Sequence, residues 1–391
     1  MLFAGLWVSN ELDTAKRIMI VAGEASGDLH AANFVKAAHA INPELYFYGI
    51  AGAKMQAAGV EAVHDAAELA VMGLIEPLLN YRKLSAVLKH MKQLVCRDKP
   101  DLLVLIDYPG FNLRLAEAAK ACGVKVLFYV SPQVWAWRQG RVKKIGERID
   151  MMAVIFPFES EFYERFHIPV RYVGHPLVDE VKAHLSRDEA IQRFGLDASK
   201  RTIGLFPGSR RGEVKRLLPI MLRAAKQLKQ THPELQFILP IASSLKAEMI
   251  QPCLDAVDVE IITVEGQSYD VSQTCDAIMT ASGTATLEIA MMGIPMVITY
   301  KVAWLTWAIV DHMIKIPHIG LANIVAGEEV AKEYVQNDAT PEALAREVAH
   351  ILDDRDYAEA MKLKLAEVKR RLGEGGGSEN LARLALEMLT V

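Results

Sequence analysis

The sequence predicts an α/β protein built from two Rossmann-like domains. Short apolar, strand-like runs alternate with helix-length segments, which is typical of a parallel sheet covered by helices on both faces. This alternation begins at Arg17 and begins again at Arg201. With 391 residues, 51% of them apolar, the chain is too long for one ordinary core and apolar enough to form two.

The predicted strands follow one another through both halves of the chain. The first half contains "IMIVAG", "YFYGIAG", "DLLVLIDY", "VKVLFYV" and "MMAVIF", and the second contains "RTIGLF", "ELQFILPI", "VEIITVEG", "DAIMTASG" and "PMVITYK". The break falls near residues 174–181, in "VGHPLVDEV". We therefore expect four segments: an N-terminal extension over 1–16, a first Rossmann-like domain over 17–175, a second over 176–350, and C-terminal helices over 351–391.

Charge, cysteine usage and hydropathy disfavour several classes of protein. A net charge of −4 argues against a nucleic-acid binder, whose domain is usually basic. The most apolar stretch, residues 291–314, is broken by Pro295 and Lys301, so we expect no membrane span. The chain has four scattered cysteines that form no CxxC pair: Cys96, Cys122, Cys253 and Cys275. We therefore expect a reducing cytosol, no zinc site and no disulfide framework.

The first predicted turn, "AGEASGD", has two interpretations. Gly23 and Gly27 give the backbone the freedom that any tight strand-to-helix turn needs. Glu24, Asp28 and His30 nevertheless place three titratable groups at one strand end, and such groups suit sugar hydroxyls. The motif is not GxGxxG, and the chain has no GxxxxGK[ST] loop, so a nicotinamide dehydrogenase and a P-loop site are both disfavoured.

Asp107 ends the apolar strand "LLVLI" and is the first candidate for a catalytic base. Partial burial at a strand end raises the proton affinity of a carboxylate, as general-base chemistry requires. The alternative is that Asp107 only caps the following turn.

Two strand-to-helix loops in the second half are candidate anion sites. Gly208, Ser209 and Arg210 offer backbone N–H groups, a hydroxyl and a guanidinium. A second loop, at Ser282, Gly283 and Thr284, opens a helix in the same manner. Glu288 lies one turn further along that helix and is a candidate ligand for both ribose hydroxyls. Each loop alone could be an ordinary helix cap, but two together favour a nucleoside diphosphate.

Two further segments have amphipathic character. In "YVSPQVWAWRQGRVKK", Ser131, Trp135 and Arg138 combine polar, aromatic and cationic groups that suit a phosphorylated, partly apolar substrate. The segment "LAVMGLIEPLLNYRKL" predicts either a buried helix or an interfacial patch that enters an anionic bilayer, with the apolar residues Val71, Met72, Leu74, Ile75, Leu78 and Leu79.

Taken in order, these segments resemble the lipid-A-disaccharide synthases, glycosyltransferases of family 19 with the GT-B architecture. The resemblance extends from about Ile18 over almost the whole chain, in "AGEASGD", "GIAGAKMQAAG", "ELAVMGLIEPL", "YVSPQVWAWR", "IFPFE", "VGHPL", "PGSRRGEV", "ASGTATLE" and "HIGLANIVAGEEVAKEYVQNDATPE". Any one segment is weak, whereas nine in the family's order are specific. In GT-B enzymes two Rossmann-like domains face each other across a cleft.

The resemblance implies an inverting sugar transfer. A 2,3-diacylglucosamine unit passes from UDP to the 6-hydroxyl of 2,3-diacylglucosamine 1-phosphate, which gives the β-1,6 tetraacyl disaccharide 1-phosphate and UDP. Asp107 would be the base, with Glu24 as its rival, while Arg210 and residues 282–284 neutralise UDP and Glu288 holds the ribose. The resemblance also directs Asn323 and Gln336 towards UDP, and places Ser131, Trp135 and Arg138 on the acceptor side. No DxD-like pair stands in a suitable place, so we expect neither a metal ion nor a cofactor.

The resemblance also implies partners and a location. Both substrates are lipids of the cytoplasmic leaflet, so we expect the enzyme to lie peripherally on the inner face of the cytoplasmic membrane, through the patch of residues 71–79. The family forms dimers that exchange C-terminal elements, and the glycines near Gly375 could act as the hinge. Alternatively, the C-terminal helices pack back on the first domain.

Two other functions remain open at this level. A UDP-sugar epimerase of GT-B fold would need paired acid and base groups around one UDP-sugar and no acyl-accepting surface, which "VMGLIEPLL" argues against. A non-catalytic lipid or nucleotide carrier would not need a strand-end carboxylate such as Asp107.

Overall fold

The computed structural model divides the chain into two compact α/β units, and it describes residues 16–23, 25–67, 77–136, 139–242, 244–303 and 317–390. The first unit comprises Met1–Pro176 together with Gly375–Val391, and the second comprises Leu177–Glu374. Every strand pairing in both units is parallel, which confirms the predicted fold class.

The first unit contains a seven-stranded sheet of order β3-β2-β1-β4-β5-β6-β7. Its strands are β1 (Arg17–Ala22), β2 (Tyr46–Ala51), β3 (Glu61–Asp65), β4 (Leu102–Ile106), β5 (Val126–Tyr129), β6 (Met151–Val154) and β7 (Val170–Tyr172). The helices that follow them in this unit are α1 (Ala25–Ile41), α2 (Ala53–Ala57), α3 (Pro77–Asp98), α4 (Pro109–Ala121), α5 (Val142–Gly146) and α6 (Pro157–Glu164).

Successive residues of β1 enter two separate cores, because side chains alternate across a strand. Met19 and Val21 pack into a core on one face of the sheet, and Ile18 and Ile20 pack into another core on the opposite face. A strand buried on both faces reads as a continuous apolar run, which explains why β1 is readable in the sequence.

The second unit contains a six-stranded sheet of order β10-β9-β8-β11-β12-β13. The strands are β8 (Thr202–Phe206), β9 (Gln236–Ile241), β10 (Ile261–Glu265), β11 (Ala277–Ala281), β12 (Met296–Tyr300) and β13 (Glu333–Val335). The helices are α7 (Leu177–Glu180), α8 (Arg187–Phe194), α9 (Arg211–Thr231), α10 (Gln251–Asp255), α11 (Ser268–Ser272), α12 (Thr284–Met291), α13 (Leu321–Ala326), α14 (Pro341–Asp353) and α15 (Arg355–Arg371).

The last helix, α16 (Gly377–Thr390), returns to the first unit. Leu381 and Leu384 are buried in the core that contains Phe34 of α1. Two hydrogen bonds fix the helix along its length, from the Lys125 ammonium to the Met388 carbonyl at 2.9 Å and from the Asn380 amide to the Val173 carbonyl at 3.0 Å.

Three strands lack a counterpart among the predicted ones: β3, β7 and β13. Each lies at an edge of its sheet, and none of the three contains a buried residue. An edge strand that is not buried on both faces needs no apolar run, so hydropathy does not reveal it.

A disulfide joins Cys96 and Cys122, so the expectation that the cysteines form no disulfide was wrong. The two residues lie 26 positions apart, Cys96 in α3 and Cys122 directly after α4. These helices pack against each other, and this packing brings the sulfur atoms together where spacing in the sequence gives no signal. Cys253 and Cys275 are free.

No helix within the described residue ranges has both the length and the apolar character needed to cross a membrane.

Asp28, from the motif "AGEASGD", is buried and caps a helix. Its two carboxylate oxygens accept hydrogen bonds from the backbone N–H groups of Lys54 and Met55, both at 3.1 Å, at the start of α2. Gly52, directly before α2, leaves the space for this carboxylate, since a Cβ there would lie 2.5 Å from the Asp28 carboxyl carbon. Asp28 therefore serves the fold, although its residue type also suits sugar hydroxyls.

We expect Asp28→Ala to lower the free energy of unfolding of the first unit by about 1–2 kcal/mol, because two N–H groups at a helix start lose their acceptors. Urea unfolding followed by circular dichroism would measure this change, with Asp28→Asn, which keeps one acceptor oxygen, losing less. Equal stability of the wild type and Asp28→Ala would contradict the capping role.

Candidate functional site

Neighbouring strands of the first sheet end in strained backbone. Asp107 and Tyr108, after β4, have φ values of 49° and 45°, and Val130, after β5, has a φ of 65°. Left-handed backbone is unfavourable for residues other than glycine, most of all for a β-branched valine, and such residues concentrate at functional sites. The carboxyl edge of this sheet is therefore the first place to seek chemistry.

The Asp107 backbone is held from both sides. Its N–H donates to the Tyr129 carbonyl at 2.9 Å, and its carbonyl accepts from the buried Asn112 side-chain amide at 2.7 Å. Asp107 itself is half-buried at the strand end, where the sequence predicts it. These bonds give the strand-end carboxylate a defined position without enclosing it.

The turn after β1 packs directly against the turn after β4. Gly23 leaves room for the Tyr108 ring, because a Cβ at position 23 would lie 2.6 Å from two of the ring carbons. Glu24, the second candidate base, lies outside the described residues.

Two histidines add neutral imidazoles to the first unit. Burial, with a contribution from the Lys54 charge, lowers the pKa of His30. Burial and then the charge of His30 lower the pKa of His175 to about 3, and the Phe156 ring packs against the His175 ring with centroids 4.9 Å apart. Both imidazoles are therefore uncharged at neutral pH.

Ser131 and Trp135 belong to a buried hydrogen-bonded network. The Ser131 hydroxyl lies 2.8 Å from the Tyr163 hydroxyl, and the Trp135 indole N–H donates to Glu159 Oε1 at 3.0 Å. The second oxygen of Glu159 accepts from the Phe156 backbone N–H at 3.1 Å, at the start of α6. Arg138, the third residue predicted for the acceptor side, lies outside the described residues.

Glu159 is a functional candidate that the sequence analysis missed. It is 2% exposed, and burial raises its pKa to about 7 even though hydrogen bonds from Phe156, Ser131 and Trp135 favour the charged form. The available signal was weak: a glutamate in the first turn of a helix, after Pro157, reads as an ordinary cap. Its burial against Trp135 depends on tertiary packing.

In the second unit, the loop after β8 is shaped by Glu213 of α9. Gly208 has a φ of 100°, and a Cβ there would lie 2.5 Å from the Glu213 carboxylate. The Arg210 guanidinium donates to Glu213 Oε1 at 3.0 Å and is 84% exposed. Arg210 therefore lies at the surface of this loop, paired with a carboxylate that an incoming anion would have to displace or share.

The loop after β11 is anchored by Ser282. Its backbone N–H donates to the Thr299 carbonyl at 2.9 Å, and its hydroxyl donates to the Ile319 carbonyl at 2.8 Å. Gly283 has a φ of 150°, and the exposed Thr284 begins α12. β8 and β11 are adjacent, so this loop and the Gly208 loop follow neighbouring strands at one edge of the sheet.

Glu288 lies near a second carboxylate, that of Glu180. Burial and the negative charge of Glu180 raise the pKa of Glu288, and a hydrogen bond from the Tyr269 hydroxyl lowers it in part. Glu180 was not among the predicted site residues, because it lies in a short helix 108 positions away and no sequence pattern links it to Glu288.

Asn323 is completely buried, and the protein uses its whole hydrogen-bonding capacity. Its Nδ2 donates to the Ala331 carbonyl and to Glu333 Oε1, at 2.8 and 2.7 Å, and its Oδ1 accepts the N–H groups of Val330 and Ala331. A direct contact between Asn323 and a nucleotide would have to replace one of these bonds.

Gln336 differs from Asn323, because its side-chain amide donor group is unused. Its φ is 53°, and its Oε1 accepts from the Val302 N–H at 3.3 Å. Its Nε2 is buried, with no hydrogen-bond partner among the described residues. An amide donor left over after β13 is consistent with a ligand on that side.

The structure describes no side chain of the predicted apolar patch. Val71, Met72, Leu74 and Ile75 of the apolar patch lie outside the described residues, and Leu78 and Leu79 are described only as backbone of α3. Across the described residues, no group of three or more His, Cys, Asp or Glu side chains could hold a metal ion.

The pKa of Glu159 predicts a pH-dependent stability. Since the folded protein holds the Glu159 proton more tightly than the unfolded chain, whose pKa is near 4.5, the stabilisation is complete below pH 4.5 and is lost as the pH rises through 7. We expect the wild type to lose about 3 kcal/mol relative to Glu159→Gln over this window.

Urea unfolding at several pH values between 5 and 8.5 would measure this difference. Glu161→Gln, on the same helix but 77% exposed, is the matched control and should follow the wild type. Parallel pH curves for the wild type and Glu159→Gln would refute the assignment.

Solved structures share the fold at low sequence identity. A UDP-GlcNAc 2-epimerase from Neisseria meningitidis, bound to UDP-GlcNAc, is 13% identical with a TM-score of 0.61, over 95% of this chain and 100% of that one. The calicheamicin glycosyltransferase CalG4 is 14% identical with a TM-score of 0.60, over 96% and 98%. This likeness confirms the GT-B type of fold, which transferases and epimerases share, and leaves the reaction to be decided by closer relatives.

A family model described as lipid-A-disaccharide synthetase matches residues 18–387. Lipid-A-disaccharide synthases from Geobacter metallireducens and Geobacter sulfurreducens are 54% and 52% identical, over 96% of this chain and 97% and 98% of theirs. One from Coxiella burnetii is 42% identical over 96% of this chain and 99% of its own. The epimerase and carrier alternatives are not favoured, and the chain belongs to the lipid-A-disaccharide synthase family.

Proposed function

We propose that this chain transfers 2,3-diacylglucosamine from its UDP conjugate to the 6-hydroxyl of 2,3-diacylglucosamine 1-phosphate. The products are the β-1,6-linked tetraacyl disaccharide 1-phosphate and UDP. The observation that carries the proposal is the pair of glycine-containing loops at Gly208 and Gly283, which follow adjacent strands of the second sheet. Glu288 lies one turn beyond the second loop, where its carboxylate can accept hydrogen bonds from both ribose hydroxyls.

In this mechanism Asp107 acts as the general base. It takes the proton of the acceptor 6-hydroxyl while that oxygen attacks the anomeric carbon, and the bond from this carbon to the UDP oxygen breaks with inversion. The electron pair leaves with UDP, so no covalent enzyme intermediate forms. The half-buried position and fixed backbone of Asp107 support this role. Glu24 is the rival base.

The leaving diphosphate is neutralised by the second unit. Arg210 turns from Glu213 towards the phosphates, and the backbone N–H groups of Gly283 and Thr284, at the start of α12, stabilise the developing charge. Ser282 holds this loop in place through its bonds to the Thr299 and Ile319 carbonyls. Gly208 and Ser209 let the backbone approach the diphosphate. Glu288 accepts the ribose hydroxyls, and the unused Nε2 of Gln336 donates to the nucleotide. No metal ion or cofactor is assigned a part in this mechanism.

The acceptor is held by the first unit. We assign Ser131, Trp135 and Arg138 to the phosphate and apolar surface of the acceptor, and Glu159 fixes the Trp135 indole by accepting its N–H. Asn323 acts indirectly, because its bonds to Ala331 and Glu333 hold the segment that leads into β13. Both lipid substrates place the enzyme peripherally on the inner face of the cytoplasmic membrane, through the patch of residues 71–79, and a homodimer is part of the proposal.

We expect Asp107→Ala to reduce disaccharide formation by about 10²- to 10⁴-fold, because the acceptor hydroxyl loses its base. The assay uses the UDP-diacylglucosamine donor and the monosaccharide 1-phosphate acceptor, with a chelator present, and UDP binding should remain unchanged. Glu117→Gln, at a 59% exposed position on α4, is the control.

Equal activity of Asp107→Ala and the wild type would move the base to Glu24 or His30. Absence of product from the wild type would overturn the proposed reaction itself.

We expect Glu288→Gln to weaken UDP binding by about 10- to 100-fold, because a charged acceptor of the ribose hydroxyls is lost. Isothermal titration calorimetry with UDP would measure the dissociation constant. Glu265→Gln, at the exposed last residue of β10, should bind UDP like the wild type. Unchanged affinity in Glu288→Gln would remove Glu288 from the nucleotide site.

A further inference from the structure

A groove of about 640 Å³ lies in the second unit between the middle of α9, from Lys215 to Gln227, and the start of α14. It contains none of the residues assigned above to the base, the UDP or the acceptor. Its walls are formed by residues of α9, by Lys301 and Val302 after β12, and by residues 339–342 around the start of α14.

The groove is strongly cationic. Lys215, Arg216, Arg223 and Lys301 line it, against one carboxylate, Glu342. Within the described ranges, no carboxylate forms an ion pair with Lys215, Arg216 or Lys301. Since the whole chain has a net charge of −4, this positive charge is a local property of the groove.

The single carboxylate of the groove, Glu342, already accepts a hydrogen bond from within the protein. Glu342 Oε1 accepts from the Gln227 amide at 2.9 Å, which joins α9 to α14. Its own backbone N–H and the Gln227 amide lower the pKa of Glu342, with a smaller contribution from the Arg223 charge. Glu342 therefore offsets Arg223 and leaves the other three cations available.

A helix start adds to the positive potential. α14 is 13 residues long, and Thr340 caps it by accepting the Ala343 N–H at 3.2 Å. The N-terminal end of a helix carries partial positive charge. Pro219, Ile220, Val302 and Pro341 supply apolar surface beneath the cations. The groove thus combines cationic groups that can bind an anion with apolar surface that can contact the methylene groups of a ligand.

The cations follow a surface rather than converge on one point. Lys215, Pro219 and Arg223 are spaced at four-residue intervals and share one face of α9. Lys215, Arg216 and Arg223 are all exposed. A row of exposed cations over apolar surface suits several anionic headgroups of a lipid surface better than one soluble phosphate.

We propose that this groove binds the phosphate headgroups of anionic membrane lipids and docks the second unit on the bilayer. The inference rests on the proposed function in one respect, since lipid substrates bring the enzyme to a membrane. It assigns a contact that is separate from the apolar patch of the first unit. Lys301 and Thr340 follow β12 and β13, so the groove opens at the carboxyl edge of the sheet, where the nucleotide loops also lie.

The test is co-sedimentation of the full chain with vesicles of phosphatidylglycerol and phosphatidylcholine. We expect the triple variant K215Q/R216Q/R223Q to bind about 30- to 100-fold more weakly than the wild type, since each cation near an anionic surface contributes about fivefold. Both proteins should bind equally to pure phosphatidylcholine.

The matched control is R193Q/K200Q/K369Q, which removes three cations of the second unit that are exposed and line no part of the groove. It should retain wild-type binding within about threefold, since its charges do not face the lipid surface. Equal weakening in both triple variants would reduce the effect to net charge and overturn the proposal, as would unchanged binding by K215Q/R216Q/R223Q.

Two further arms separate the remaining explanations. Inorganic phosphate, added at constant ionic strength, should not release the wild type from the vesicles, and release would assign the groove to a soluble anion instead. Disaccharide formation from detergent-dispersed substrates should be the same in K215Q/R216Q/R223Q and the wild type. Loss of product in the wild type would refute the proposed function, whereas vesicle binding tests the groove independently of catalysis.

Discussion

Parallel pairing of the strands is the constraint on which the rest of the structure depends. Since every strand in a sheet runs the same way, every strand-to-helix turn with a functional candidate opens at the carboxyl edge of its sheet. Asp107 and Val130 meet there in the first unit, and Gly208 and Gly283 meet there in the second. The helices that return the chain cover both faces of the sheet, so the central strands are largely apolar and polar residues follow at their ends.

The candidate site residues are positioned by buried and half-buried side chains. Asn112 holds the carbonyl of Asp107, Glu213 occupies the space beside Gly208, and Glu333 binds both Asn323 and the backbone at the start of α13. Each of these groups satisfies backbone N–H or C=O groups that a sharp turn leaves without a helical or strand partner. The strained conformation at Asp107 can persist because the bonds to Asn112 and Tyr129 hold its backbone on both sides.

Burial of carboxylates sets the electrostatic character of both units. Glu159 is desolvated beside Trp135, and Glu288 is desolvated near Glu180, so in each case the pKa rises although hydrogen bonds favour the charged form. Desolvation exceeds the hydrogen bonds because a buried charge loses the whole hydration shell and regains only two or three donors. By contrast, the cations along α9 stay exposed, where water screens them and where they remain available to an external anion.

The sequence by itself determined the fold class, the central strands and the loops that carry Asp107, Arg210 and Ser282, because buried parallel strands require apolar runs and their turns require glycine or polar residues. Only the tertiary structure decided the edge strands β3, β7 and β13, which are too exposed to need such runs. It also decided the pairing of Cys96 with Cys122, the capping role of Asp28, the closed hydrogen-bond set of Asn323 and the burial of Glu159. Each of these depends on which residues distant in the chain become neighbours, and local pattern does not encode that information.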